Sequence, residues 1–195
     1  GTLAGDDFAL ARHSLAMLAM SQVREPNASL AATPHGQVLA SLPPGMWNRT
    51  WPRDQSYATV ALAAAGHVPE ASDAAAFVLN GKASNYEAQV GRPYLVSVCR
   101  YYGHGGEESD GDPATDGPNI EFDGFGLYLW SVAEIDAAAA KAGSARPGDA
   151  WWPQLKTGVA DVLVSLVQED GLVRADSSIW EIGRASCRER VYHPV

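Results

Sequence analysis

Apolar residues recur along much of the chain at spacings of three and four, the interval that puts side chains on one face of an α-helix. Phe8, Ala11, Leu15 and Leu18 step in this way after an Asp6-Asp7 start suited to a helix N-terminus. A second helix is expected from about Asp54 through Tyr57, Val60, Ala61 and Ala64, stopping at Gly66. The third opens with Pro69, buries Ala71, Ala74, Ala75 and Val78, and ends at Asn80-Gly81. A fourth carries Leu127, Trp130, Ala133 and Ala137 before Gly143. A fifth carries Trp152, Leu155, Val159, Val162, Leu163 and Leu166 before Asp170-Gly171. The expected fold class is all-α, built from helices in antiparallel succession. One stretch departs from it: Tyr94 to Tyr102 alternates and predicts a short strand, paired with residues 119–122.

Long polar connections separate these helices. The segment from Leu30 to Thr50 holds three Pro, two Gly and no helical period, and Tyr101 to Asn119 is acidic and Gly-rich. Connections of this length inside a compact domain carry function or disorder, so a site is expected where they gather.

Composition narrows the possible partners. The 195 residues hold 14 Lys plus Arg against 23 Asp plus Glu, a net charge of −9. Such a chain offers no basic face for nucleic acid. It has no apolar run long enough for a membrane-spanning helix. Its two cysteines exclude a disulfide scaffold, and none of its five histidines falls at i, i+4. No metal or cofactor is expected, and cellular compartment and oligomeric state stay open. An Asp110, Asp112 and Asp116 cluster lacks the spacing of a calcium loop and reads as solvated.

The last residues differ in character. Residues 182–195 hold three Arg and one Glu, a net of +2 that leaves −11 for the remainder. Glu181 to Val191 (EIGRASCRERV) reads like the in-frame translation of a common DNA-sequencing adapter. Residues 182–195 are therefore expected to be a non-native tail and are set apart from residues 1–181.

Three segments carry chemistry, each at a helix boundary. Thr50-Trp51-Pro52-Arg53-Asp54 joins an indole to adjacent donor and acceptor groups, which suits a sugar: its C–H face packs on the ring while its hydroxyls bond to guanidinium and carboxylate. A plain Asp54 N-cap with an incidental Arg is the structural alternative. Ile120-Glu121-Phe122-Asp123-Gly124 offers two carboxylates, which either face a cleft or cap the fourth helix and favour its dipole. Ile179-Trp180-Glu181 sets a carboxylate beside an indole, a setting that raises proton affinity as a general acid needs.

In this order, and together with the Gly36-to-Ser41 stretch behind the first helix, these segments resemble glycoside hydrolase family 15, the glucoamylase and glucodextranase family. WPRD resembles its W-x-R-D motif, IEFDGFG its Q-x-D-G segment, and SIWE its acid motif. The resemblance covers about residues 3–181. It implies an (α/α)6 toroid with the site in a funnel at one end, and an inverting exo-hydrolase that releases glucose from α-glucans or α-gluco-oligosaccharides. It also implies that Trp51, Arg53, Asp54, Glu121, Asp123 and Trp180 bind substrate and that Glu181 is the general acid.

Two departures qualify this. Glu121 stands where the family often has Gln, and the family's catalytic base lies far towards the C-terminus, outside this chain. With about five of twelve helices present, the chain is expected to be an N-terminal half of the catalytic domain, poorly folded alone and without turnover. Two other readings share these residues: a trehalase or glycoside phosphorylase on the same scaffold, and a non-catalytic carbohydrate-binding protein.

Overall fold

The computed structural model describes residues 5–27, 33–41, 48–108 and 120–176. Among these residues the secondary structure is helical, and β-pairing is confined to isolated bridges. In chain order the elements are α1 (Gly5–Ser21), α2 (Pro52–Ala64), α3 (Val68–Leu79), the single turn α4 (Glu87–Val90) and α5 (Asp123–Lys141). They are followed by α6 (Pro147–Leu155), a π-helical turn (Lys156–Ala160) and α7 (Asp161–Leu166). The all-α expectation holds for this part of the chain.

The core is organised around α2, which packs against both α3 and α5. This explains why its buried face is not the predicted one. Tyr57, Ala61 and Ala64 are exposed, whereas Gln55, Ser56, Ala58, Thr59, Leu62 and Ala63 are buried. A helix covered on two sides can bury polar groups only if each finds a partner. Gln55 Oε1 accepts the Val38 N–H at 2.8 Å, and its Nε2 donates to Gly36 O at 3.1 Å and Ala74 O at 2.8 Å. The Ser56 and Thr59 hydroxyls donate to carbonyls one turn back, Pro52 O and Gln55 O, at 2.7 Å each. Gln55 thereby ties α2 to α3 and to the loop before α2.

In α5 the buried positions are Phe125, Tyr128, Val132, Ile135 and Ala139, a face rotated from the predicted one. Trp130 is exposed, as are Ala133 and Ala137. The faces predicted as core in α2 and α5 meet instead at the surface, where Tyr57 and Trp130 make an edge-to-face pair 5.6 Å apart. Inside, the Tyr128 hydroxyl donates to Ala75 O of α3 at 2.8 Å. Helix α3 buries Ala71, Ala74, Ala75 and Val78, as its spacing predicts, with Phe77 and Leu79 in addition.

Helix α1 has no fully buried residue. Ala11, Leu15 and Leu18 are half-buried on the predicted face, but Phe8 is exposed. The helix is held mainly by its C-terminal end. The Leu39 N–H bonds to Ser21 O at 3.0 Å, the Val23 N–H to Gln37 O at 2.8 Å, and Gln22 Nε2 donates to Glu70 O at 2.8 Å. Gly36 makes this junction possible. Its φ is +85°, and a Cβ there would lie 2.0 Å from Asp73 O of α3.

The predicted fifth helix is real but interrupted. Pro153 removes one backbone donor inside α6, and one turn later the ladder widens into the π-helical turn. Gly158 in that turn accepts the Leu95 N–H at 3.0 Å, and a Cβ there would lie 2.4 Å from Leu95 Cγ. The wider turn and the missing side chain let the 94–101 segment lie against this helix. That segment is not the predicted strand. It is an irregular run with bonds to four places: Leu95 to Gly158, Tyr101 to Thr50 in both directions, Val98 N–H and Arg100 O to Glu107 and Glu108, and Val98 O to the Glu121 N–H at 2.7 Å. Only the last belongs to the pairing the alternation suggested.

Candidate functional site

The N-termini of α2 and α5 lie side by side. Gly124, in the first turn of α5, packs so closely on Pro52 of α2 that a Cβ would sit 3.1 Å from Pro52 Cβ. This contact brings together two segments about seventy residues apart in sequence. Arg53 Nε donates to Asp123 Oδ2 at 2.7 Å, and Arg53 Nη2 lies 3.4 Å from Glu121 Oε2. The carboxylates differ in setting: the Glu121 side chain is 5% exposed and that of Asp123 39%, with Arg53 between them at 23%. A guanidinium held between one buried and one open acid is fixed in direction, and part of the side chain stays exposed.

The local backbone decides between the alternatives left open for these motifs. Trp51 is the extended N-cap of α2 and Pro52 its first residue, so Asp54 lies in the first turn and is not the cap. Phe122 is the N-cap of α5, with Asp123 the first residue of that helix, and neither helix has a side-chain capping bond. Both acids favour the positive end of their helix dipole without being used up as caps. Asp54 is exposed and, with Arg53, lines a cleft of about 640 Å3 between α1 and α2. His13, Met17, Ser41 and Tyr57 also line it.

Trp51 takes a different place from an open sugar platform. It is 6% exposed, and the Arg100 guanidinium lies 5.2 Å over its ring. Arg100 is in turn paired with Glu108, which also pairs with Arg49, and Arg49 lies 5.2 Å over Tyr102. The indole is thus one layer of an aromatic and charged stack. Sequence reasoning missed Arg100, Glu108 and Arg49, because Glu108 stands in a loop whose composition reads as solvated.

Beside this stack is a second buried acid that the sequence did not single out. Glu107 Oε2 accepts from the Ser84 N–H at 3.0 Å, the Asn85 N–H at 2.9 Å and the Tyr94 hydroxyl at 2.7 Å. Its Oε1 accepts from the Ser97 hydroxyl at 2.8 Å and the Val98 N–H at 3.0 Å. These five donors bind three loops into one unit. Burial first, and the bond to Glu107 second, push the Tyr94 phenol well above its ordinary pKa, so it stays a donor.

Asp176 is the last described residue, and its Oδ2 accepts the Phe122 N–H at 3.0 Å. This bond ends the described chain beside the N-terminus of α5. Trp180 and Glu181 themselves lie outside the described residues, as do Asp110, Asp112, Asp116 and residues 182–195. Among the described residues no group of three potential ligands is placed to hold a metal ion, and no helix is long and apolar enough to cross a membrane. No family model, curated protein or solved structure matches the chain.

Proposed function

We propose that the chain is part of an inverting, exo-acting glycoside hydrolase that releases glucose from α-glucans or α-gluco-oligosaccharides. The observation that carries this reading is the contact of Arg53 with Asp123 and Glu121. It joins at one rim two of the three motifs that resemble the glucoamylase and glucodextranase family. The adjacent N-termini of two core helices also agree with an (α/α)6 toroid, in which inner helices start at the same end.

In this reading the terminal glucose lies against Arg53, with the exposed Asp54 and Asp123 carboxylates accepting its hydroxyl protons. Arg53, oriented by its two acids, donates to the sugar. Trp51, buried under Arg100, is the N-cap residue from which the turn carrying Arg53 starts. Glu181 gives a proton to the glycosidic oxygen as the bond to the anomeric carbon breaks. Water attacks that carbon from the opposite face and loses its proton to a second carboxylate about 6.5–9.5 Å from the first. No residue of this chain is assigned as that base, so no glucose release is expected from the chain alone.

Titration of the 15N-labelled 195-residue chain with isomaltose and with maltose tests the reading. Saturable shifts are expected at the amides of residues 51–54 and 121–124, and Arg53→Gln should remove them. A chain that gives no saturable shift with either sugar, or the same shifts with Arg53→Gln, overturns the assignment. Glucose release by the chain alone overturns the need for a second carboxylate from elsewhere.

A further inference from the structure

A second cavity, of about 800 Å3, lies between the 90–95 segment, the π-helical turn and the end of α7. Two arginines line it, Arg92 and Arg174, both half-buried. Their partners are unusual for a chain of net charge −9. Arg92 Nη1 donates to Asp161 O at 2.9 Å, and Arg174 Nη2 donates to Gln89 O and, at 3.4 Å, to Val90 O. These are carbonyls, which orient a guanidinium but do not neutralise it. The nearby Asp161 carboxylate is occupied by Lys156 Nζ at 2.9 Å, so it does not quench Arg92. Arg174 is held further by the Phe122 ring, 5.2 Å away. Among the described residues neither arginine has a carboxylate partner.

Two oriented guanidiniums, each with N–H groups left over, match a doubly charged oxyanion. The rest of the lining is mixed. Val90, Pro93 and Leu95 are apolar, while Gln154, Thr157 and Ser165 bring polar groups to the other wall. The cavity volume suits a small metabolite more than a bare ion. We propose that this cavity binds a phosphate monoester of a small organic molecule, its phosphate held between Arg92 and Arg174 and its organic part against Val90, Pro93 and Leu95. Arg174 also packs on Phe122, between Glu121 and Asp123, so phosphate binding is read separately from sugar binding.

Phenyl phosphate is the probe, with inorganic phosphate and phenol as controls, all at fixed ionic strength on the full 195-residue chain. Binding is read by 31P line broadening and by the rise in Tm. Phenyl phosphate is expected to broaden and to raise Tm, and phenol, which carries no phosphorus and is read by Tm alone, not to raise it. Arg92→Gln should weaken binding at least about tenfold. Arg174→Lys, which keeps charge but loses the planar fork, should weaken it less. The proposal is overturned if phenyl phosphate neither broadens nor raises Tm, if Arg92→Gln binds as the parent does, or if inorganic phosphate binds as tightly as the ester.

Discussion

Glu107 and the Arg53 rim both bring acids to the junction of loops and helices, and they solve opposite problems. Glu107 is closed: five donors surround its two oxygens, and no face is left for anything else. The rim is open: Glu121 is buried, but Asp123 and Asp54 stay exposed beside the Arg53 guanidinium. A carboxylate with every lone pair taken stabilises a fold, whereas one with capacity left can take a ligand. Satisfaction of the polar atoms, not burial alone, separates structure from candidate function here.

The largest effect should come from breaking the closed acid. Glu107→Ala strands three backbone N–H groups and two hydroxyls in the interior, at a cost of about 3–5 kcal/mol. Urea unfolding should show the midpoint falling steeply. A loss under about 1 kcal/mol would mean the three loops hold together without it. Next comes Gly36→Ala, which forces a side chain towards Asp73 O from a left-handed backbone. It is expected to cost about 2–4 kcal/mol and to loosen α1, whose end depends on that junction. Hydrogen exchange across residues 5–23 would report the loosening.

A third prediction concerns alkaline pH. Burial raises the Cys99 thiol from 9.0 to about 12, and the phenols of Tyr94, Tyr101 and Tyr128 are pushed upward by burial as well. Because the folded-state pKa is the higher one, the unfolded chain releases these protons first as pH rises. The stability is fully present below about pH 9 and is lost as pH climbs towards 12. Denaturation curves at pH 8 and pH 10 should show it. In a Cys187→Ser background, Cys99 should react with iodoacetamide only as the chain unfolds; rapid reaction at pH 8 would contradict its burial.

The same contrast explains what could be read from the sequence. The predicted face of helix α3, Ala71, Ala74, Ala75 and Val78, was legible because it is apolar on one side, although Phe77 and Leu79 are buried beyond it. Helices α2 and α5 were legible as helices but not in their orientation. The buried face of α2 is Gln55, Ser56 and Thr59, whose partners come from Gly36, Val38, Ala74 and preceding turns, and no periodicity reveals those. The alternation of Tyr94 to Tyr102 suggested a strand because buried and exposed positions do alternate there in part. Its hydrogen bonds, however, go to Thr50, Gly158, Glu107, Glu108 and Glu121 and not to a single neighbour. At the rim, the motif residues Arg53, Glu121 and Asp123 were legible as chemistry. The covering of Trp51 by Arg100 was not, since it depends on Glu108 being buried within an acidic loop.

Asp123→Asn should have the smallest effect on stability and for that reason sharpens the comparison most. The substitution keeps the shape and leaves an oxygen to accept from Arg53 Nε, but removes the charge. An ion pair with a partner this exposed is worth at most about 1 kcal/mol, so the unfolding midpoint should barely move. Sugar binding should respond more. A carboxylate accepting from sugar hydroxyls makes charge-assisted bonds that an amide oxygen replaces poorly, so isomaltose affinity is expected to fall about tenfold. Stability and binding would then separate at Asp123, while Glu107→Ala moves stability first. If Asp123→Asn instead unfolds the chain as Glu107→Ala does and leaves sugar affinity intact in the folded fraction, the rim belongs with the closed acid, as scaffold.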